Sequence, residues 1–180
     1  MKKLVAANFV DKEEFFEGKR VLLDFMENFD REDCVFVGNT FSGFVPIVCE
    51  NHESESYRAR SFRFNVGALH QYILISETES RYIDELIPGD KVLIRNGIDT
   101  YKQLPIARIK KEIRPFVKMK FKSDEQNIEV ILQSNATVSI LTENGIKLLN
   151  DFNQGDTAYV LKWGKASHLG SIRNEFCEEI

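Results

Sequence analysis

Residues Arg60–Tyr72 read RSFRFNVGALHQY, a stretch that combines a strand pattern with dense polar chemistry. Every second residue from 62 to 66 is apolar, which is the period of a half-buried β-strand. The pattern therefore predicts that Arg63 and Asn65 lie together on the opposite face. Gly67 interrupts the alternation, which indicates a bulge or a close backbone approach.

The polar side chains of this stretch form a first candidate site. Arg63, Asn65 and His70 place a guanidinium, an amide and an imidazole within a few residues, and His70 is predicted to share the next strand face with Tyr72. Such groups can hold a carboxylate, a phosphate or a polyol. The alternative is a strand whose polar face is simply solvated.

Size and composition describe an ordinary globular chain. Its 180 residues suit one domain or two small ones, and 43% hydrophobic and 29% charged residues are typical values. The 14 phenylalanines, against one tryptophan and five tyrosines, favour β-structure. The net charge of −4 argues against nucleic acid as the main partner, because phosphate binding needs a basic surface.

The sequence carries no signature of a membrane or secreted protein. No apolar run reaches the length of about 18 residues that a membrane span needs, and the apolar stretch after Met1 is too short for a signal peptide. Cys34, Cys49 and Cys177 are odd in number and scattered, which is typical of reduced thiols. We therefore expect a cytoplasmic protein that does not bind membranes.

A turn pattern recurs along the chain. Leu86–Ile94 and Phe152–Val160 each begin with a large apolar residue, continue through two spacers to Gly-Asp, and end in an alternating strand. Phe29–Val37 is a weaker copy. Glycine permits positive φ at a tight turn and aspartate can cap it, so these aspartates are predicted to be turn residues rather than catalytic acids.

Short strands separated by turns predict a mainly β fold, built from repeated small β-barrel or sandwich units with little helix. Residues 1–60 are predicted to form a first β-unit with an N-terminal extension. Residues 61–115 and 116–180 are the second and third units, and all three pack as one compact β-domain. The charged segment 11–19 is predicted to be one helical turn or a connector.

A second candidate surface lies on a later strand. Arg108, Lys110, Glu112 and Arg114 alternate, so they share one face. Opposite charges at this spacing commonly pair in a solvated ladder, which is the alternative to a site. If this face closes onto Arg63 and Asn65, it forms an anion or polyol site instead.

Other chemistries have weaker signals. The chain has no Gly-x-Gly-x-x-Gly, no Gly-Lys-Ser/Thr loop and no Gly-x-Ser-x-Gly. Cys49, His52 and His70 could bind metal in a sensor protein, although structural zinc sites usually need four ligands at closer spacing. A harder ion such as Mg²⁺ or Mn²⁺ prefers carboxylates such as Glu50 and Glu112.

Taken together, these motifs resemble the C-terminal β-part of the type II 3-dehydroquinate synthases and the related 3-amino-4-hydroxybenzoate synthases. Arg60–Tyr72 is similar to the family stretch Arg-Pro-Phe-Arg-Val-Asn-Ala-Gly-x-Val-His-x-Tyr. Tyr82–Ile94 resembles its Leu-x-x-Gly-Asp-x-Val, and Arg108–Pro115 resembles its Arg-Val-Lys-x-Glu-x-Arg-Pro. The resemblance covers residues 20–180.

The resemblance implies a stand-alone homologue of the synthase β-domain. It would act on or bind a C7 amino-ketose or a shikimate-type intermediate in aromatic biosynthesis. The family reaction is an NAD-linked oxidative deamination and cyclisation, or a metal-dependent lyase-type cyclisation in the benzoate relatives. The residues implied to bind substrate are Arg63, Asn65, Arg108, Lys110 and Arg114.

Further roles follow from the same resemblance. His70 or His168 is implied to move protons. Glu50 or Glu112 is implied to serve a divalent metal such as Mn²⁺ or Mg²⁺ or to orient a base, with Glu112 as the catalytic residue and Glu50 as the metal residue of first choice. NAD is expected by analogy. The family enzymes are about twice as long as this chain, so we expect a homo-oligomer or a separate chain that supplies the missing N-terminal half.

Three positions depart from the family pattern. The family has a glutamate at Ala136, an arginine at Ser167 and a histidine at Val48. An acid and an arginine are groups that such chemistry needs. The departures favour an alternative in which the chain is a non-catalytic small-anion-binding or assembly module.

Overall fold

A computed structural model describes residues 3–53, 57–124, 126–134, 137–163 and 179. These residues form thirteen strands and two 3₁₀ turns, so the prediction of a mainly β fold with little helix is confirmed. The strands are β1 (Leu4–Asp24), β2 (Cys34–Gly38), β3 (Gly43–Val48), β4 (Arg63–Ala68), β5 (Tyr72–Leu74), β6 (Ser80–Tyr82), β7 (Lys91–Arg95), β8 (Tyr101–Pro105), β9 (Arg108–Ser123), β10 (Gln126–Gln133), β11 (Ser139–Thr142), β12 (Gly145–Leu148) and β13 (Thr157–Lys162). The 3₁₀ turns are Ile83–Glu85 and Leu149–Asp151.

The thirteen strands form one connected antiparallel sheet. Its main path runs β10-β9-β1-β13-β3-β2-β5-β6 and does not close into a barrel. β4 pairs with β1, β7 pairs with β2 and β8, and β11 pairs with β3 and β12. The predicted division after residues 60 and 115 stays a prediction, and residue 115 lies inside β9. Among the described residues, no helix has the length and apolar character needed to cross a bilayer.

β1 and β9 are the longest strands and organise the sheet. They pair from Asn8 opposite Lys122 to Asp24 opposite Arg108. The prediction of a helical turn or connector over residues 11–19 is therefore wrong. The register shifts after Phe15, and this bulge interrupts the apolar alternation by which the sequence would otherwise reveal a strand.

Two apolar clusters lie on opposite faces of the sheet. The main core includes Val21 and Leu23 of β1, Phe64 of β4 and Phe121 of β9. A second cluster, around Phe36, uses the other faces of β2 and β3. Both faces of these two strands are therefore buried, which explains their nearly continuous apolar sequences.

The three recurring aspartates form the same turn, as predicted. Asp33, Asp90 and Asp156 each accept a hydrogen bond from the backbone N–H three residues earlier, at 2.9, 3.0 and 2.7 Å. Gly89 and Gly155 have φ values of 97° and 93°, in the region that glycine tolerates. Each turn leads directly into a strand, so these carboxylates are structural.

Candidate functional site

The site is built on the end of β1, which lies between β4 and β9. Register places Arg63, Asp24 and Arg108 side by side across the three strands. The Asp24 carboxylate accepts hydrogen bonds from Arg63 Nε at 2.6 Å and Nη2 at 2.9 Å. It also accepts from Arg108 Nε at 2.8 Å and Nη2 at 2.6 Å. We call these three residues the Asp24 row.

The electrostatics of the Asp24 row are those of a tightly held ion cluster. Burial alone would raise the pKa of Asp24, but hydrogen bonds from Arg63 and Arg108 outweigh it and hold the pKa below its ordinary value. The hydrogen bond to Asp24 raises the pKa of Arg63 in turn. Arg108 remains 65% exposed at its side chain, so one guanidinium of the row faces solvent.

A second ionic group lies next to the Asp24 row. The Glu112 carboxylate pairs with Arg20 of β1, with Lys110 at 2.6 Å and with Arg114 at 2.9 Å. The hydrogen bond from Lys110, together with the charges of Arg20 and Arg114, lowers the pKa of Glu112 against the effect of desolvation. We call these four residues the Glu112 row.

Two amides connect this row to β4. Gln133, at the end of β10, accepts hydrogen bonds through Oε1 from Arg20 and from Asn65 Nδ2, the latter at 3.0 Å. Asn65 is oriented by the bulge in β4, where Val21 pairs with Gly67 and Leu22 pairs with Asn65. Gln133 Oε1 thus links Asn65 to Arg20.

The segment that leads from β3 to β4 adds Glu50. Its N–H donates to Arg63 O at 2.9 Å, and its Oε2 accepts from the Tyr57 hydroxyl at 2.6 Å. Burial and this hydrogen bond raise the pKa of Tyr57. Glu50 is buried, and its charge acts on both Arg63 and Arg20. It therefore lies beside both ionic rows.

We define the polar cluster as the Asp24 row, the Glu112 row, Glu50, Asn65 and Gln133. It contains five cationic side chains and three carboxylates, a surplus of two positive charges on a chain of net charge −4. Such a surplus, next to two amides, suits a small anion that also carries hydroxyl groups.

The structure brings the strand that carries Asn65 next to the strand that carries Lys110, separated only by β1, as expected. Leu22 pairs with Asn65 on one side and with Lys110 on the other. Arg63 is 8% exposed and Asn65 is 1% exposed, so the alternative of a solvated strand face does not hold for them. Their roles in binding stay predictions.

His70 lies at the other end of the same sheet region. It precedes β5 rather than sharing a strand face with Tyr72, and its Nε2 contacts Asn39 Oδ1 at 3.0 Å. Its neighbour Leu69 donates to Lys19 O, five residues along β1 from Asp24, which corresponds to about 17 Å of strand. The structure therefore does not bring His70 to the Asp24 row.

An apolar groove adjoins His70. It has a volume of about 210 Å³ and is lined mainly by Phe15, Phe16, Phe116 and Ile131. Partial desolvation lowers the pKa of His70, although the residue is exposed at the edge of the groove. His168, the other predicted proton carrier, lies outside the described residues.

The expected divalent metal and NAD stay predictions. Within the described part of the chain, no three His, Cys, Asp or Glu side chains come together as a metal site would require. The Tyr57 hydroxyl donates a hydrogen bond to the Glu50 carboxylate, and the role of Glu50 at a metal stays a prediction. A glycine-rich phosphate loop for NAD is absent from the sequence.

Four residues of the site were missed at the level of sequence: Arg20, Asp24, Tyr57 and Gln133. Arg20 and Asp24 alternate with buried Val21 and Leu23, so their shared face could have been found. The partners of Asp24 could not have been found from the sequence, because Arg63 and Arg108 lie 39 and 84 residues away from it along the chain.

Comparison with known proteins gives the family. The family model described as "3-dehydroquinate synthase II C-terminal domain" matches residues 7–180, which include the whole polar cluster. The chain belongs to the 3-dehydroquinate synthase II family. No solved structure matches it.

Three archaeal relatives within this family, each named 3-dehydroquinate synthase, illustrate the match. The protein of Methanocorpusculum labreanum is 30% identical over 163 residues, covering 90% of this chain and 47% of the relative. That of Haloquadratum walsbyi is 27% identical, covering 94% and 42%. That of Methanosphaera stadtmanae is 29% identical, covering 96% and 48%. The chain thus spans about half the length of these relatives.

Proposed function

We propose that the polar cluster binds a small hydroxylated anion, a C7 amino-ketose or shikimate-type intermediate of aromatic biosynthesis, in the cytoplasm. The observation that supports this most directly is the surplus of two positive charges beside the amides of Asn65 and Gln133. Guanidinium groups match carboxylate and phosphate oxygens, and amides serve hydroxyl groups as donors and acceptors.

The cationic side chains of the polar cluster differ in exposure, and we assign them different roles on that basis. Arg108, Lys110 and Arg114 keep 65%, 50% and 43% of their side-chain surface exposed, so they are available to an incoming anion. Arg63 is buried against Asp24, and it forms the floor of the site together with Asn65. Asp24 and Glu112 hold the cations in position.

In this proposal the chain contributes half of a synthase active site. The chain covers 47% of the length of the Methanocorpusculum labreanum relative. In the proposal a second chain or another copy supplies further groups of the site, including those for a metal or NAD. His70 or His168 would move protons. Glu112 acts as an anchor rather than a base, because three cations lower its pKa.

A second candidate is a non-catalytic anion-binding or assembly module. The placement of His70 favours it, since about 17 Å of strand separates this histidine from the Asp24 row. In that case the Asp24 row binds the anion without His70 as a neighbouring proton carrier.

Calorimetric titration with shikimate tests the binding. We expect saturable binding that weakens with salt, and a loss of affinity of at least about tenfold in Arg108→Ala because a charge-assisted hydrogen bond is removed. Lys120→Ala is the matched control, since Lys120 lies on the same face of β9 but pairs with Glu13. Equal losses in both variants, or no binding to the wild type, would contradict the proposal.

A chimera separates catalysis from binding. The C-terminal part of the Methanocorpusculum labreanum synthase is replaced by this chain, and turnover of the C7 precursor is measured with NAD and Mn²⁺ present. Retained turnover supports the half-synthase. A folded chimera that binds shikimate without turnover supports the binding module.

A further inference from the structure

The middle of β1 has an open backbone edge. On the side of β1 that faces away from β9, residues 4–8 pair with β13 and residues 20–24 pair with β4. No described strand pairs with residues 13–18 on that side. An open edge of this kind presents backbone N–H and C=O groups with which an added strand can form hydrogen bonds.

An apolar surface lies along this open edge. Phe16 is the extra residue of the bulge, because Phe15 pairs with Phe116 and Glu17 pairs with Pro115. Phe16 is 74% exposed, and the centre of its ring lies 4.2 Å from that of Phe15. Both rings line the apolar groove. One exposed apolar side chain is ordinary, but a ring that continues into an apolar groove indicates a binding surface.

The groove continues directly into the polar cluster. Ala68 and Phe116 line the groove, and each pairs across the sheet with a member of the polar cluster: Ala68 with Arg20, and Phe116 with Gln133. Directly paired residues of an antiparallel sheet have their Cβ atoms about 5 Å apart on the same face. A segment bound in the groove therefore lies beside the groups that we propose to bind the anion.

The charges along the open edge indicate the chemistry of its partner. Glu14 and Glu17 are exposed and lie on either side of Phe16 in the chain. A second copy of this chain fits poorly, because antiparallel pairing centred on residues 13–18 places Glu14 opposite Glu17. Like charges that lie directly opposite each other destabilise a strand pair. A strand with lysine or arginine on both sides of an apolar residue fits instead.

We propose that residues 13–18 and the apolar groove are the docking surface for a strand of the second chain that completes the half-synthase. The strand pairs with the open edge of β1 and places an apolar side chain in the groove. Its basic side chains lie opposite Glu14 and Glu17. This inference rests on the proposed function, in which a second chain supplies further groups of the site to a chain that covers 47% of its Methanocorpusculum labreanum relative.

Hydrogen-exchange mass spectrometry compares the isolated chain with the chimera that carries the N-terminal part of the Methanocorpusculum labreanum synthase. Alternate amides of residues 13–18 point away from β9, so peptides that span them should exchange quickly in the isolated chain. In the chimera their exchange should slow at least about tenfold, because amides bonded to an added strand exchange only after local opening. Peptides that span residues 96–100, between β7 and β8, are the internal control and should exchange equally in both proteins.

Variants of the chimera separate docking from folding. Phe16→Ser should remove at least about fivefold of the added protection, because it deletes an aromatic anchor of the interface. Glu17→Lys should also reduce the protection, because it places a positive charge opposite the basic strand. Ile98→Ser is the matched control: Ile98 is 84% exposed, lies between β7 and β8 and should not affect docking. In the isolated chain, Phe16→Ser should leave the melting temperature unchanged because Phe16 is exposed.

The outcomes are distinct. If the chimera turns over the C7 precursor while residues 13–18 exchange as in the isolated chain, this inference is overturned and the proposed function stands. Protection without turnover supports the docking surface and contradicts the half-synthase. Protection that rises with the concentration of the isolated chain identifies a second copy as the occupant. Protection at every concentration of the isolated chain shows that its own residues cover the edge. Either of these last two results overturns this inference.

Discussion

The Asp24 row and the Glu13 group, which consists of Glu13, Lys118 and Lys120, each centre on a carboxylate of β1 that pairs with two cations. Asp24 pairs with Arg63 of β4 and Arg108 of β9. Glu13 pairs with Lys118 and Lys120, which both belong to β9. The Asp24 side chain is 5% exposed, whereas that of Glu13 is 43% exposed.

The difference comes from what flanks β1. β4 pairs with β1 from Arg20 to Asp24, so a second strand covers that end. Between Phe9 and Lys19, β1 pairs with β9 and with no other strand among the described residues. The charged side chains of β1 form a buried ionic site only where a further strand shields them from water.

The largest effect should come from Asp24→Asn. It leaves Arg63 buried without its counter-charge, and breaking a buried ion pair in this way costs about 3–5 kcal/mol of unfolding free energy. Urea denaturation at pH 7 measures it. A variant as stable as the wild type would show that the Asp24 row is no more than a surface ion pair.

Gly67→Ala should have the next largest effect. Gly67 has φ +76°, and an added Cβ would lie 2.2 Å from the backbone oxygen of Ile131. Gly89→Ala is the matched control: φ is +97°, but the Cβ meets no heavy atom within 4 Å among the described residues. The control should lose about 1–2 kcal/mol from backbone strain alone, and Gly67→Ala clearly more. Equal losses would show that the β4 bulge is not tightly packed.

The stability gap between wild type and Asp24→Asn should depend on pH. Hydrogen bonds from arginines lower the pKa of Asp24 in the folded state, so its contribution is complete above the unfolded value of about 3.9. It is lost as the pH falls through the lower, folded-state pKa. The gap should therefore narrow below about pH 4, and a gap that stays constant to pH 2 would contradict this.

The smallest effect should come from Glu13→Gln. Its pairs with Lys118 and Lys120 are solvated, and such pairs add little to stability. The melting temperature should stay close to that of the wild type at both low and high salt. A loss comparable to that of Asp24→Asn would remove the contrast between the two groups.

The sequence revealed the parts of the fold that have a local signature. The alternation through Arg63 and Asn65 placed both on one face, and Gly67 marked the bulge. The aspartate turns were readable because glycine, aspartate and the following strand lie within a few residues. These features depend on neighbours in the chain, which a sequence displays directly.

The rest of the fold and of the site depends on pairing between residues that are far apart in the chain. The bulge at Phe16 hid the middle of β1 by shifting its apolar period. Asp24 was overlooked because its partners come from two other strands, and the same local pattern at Glu13 has a different environment. Burial of a charge is a property of the assembled sheet, so local periodicity could not predict it.

The central claim is that the ends of β4, β1 and β9 form one binding surface. Amide chemical-shift mapping during a shikimate titration tests it most directly. We predict shifts confined to residues 20–24, 50, 63–65, 108–114 and 133, with none at Glu13, Lys118 or Lys120. Shifts centred on the Glu13 group, or no shifts at all, would contradict it.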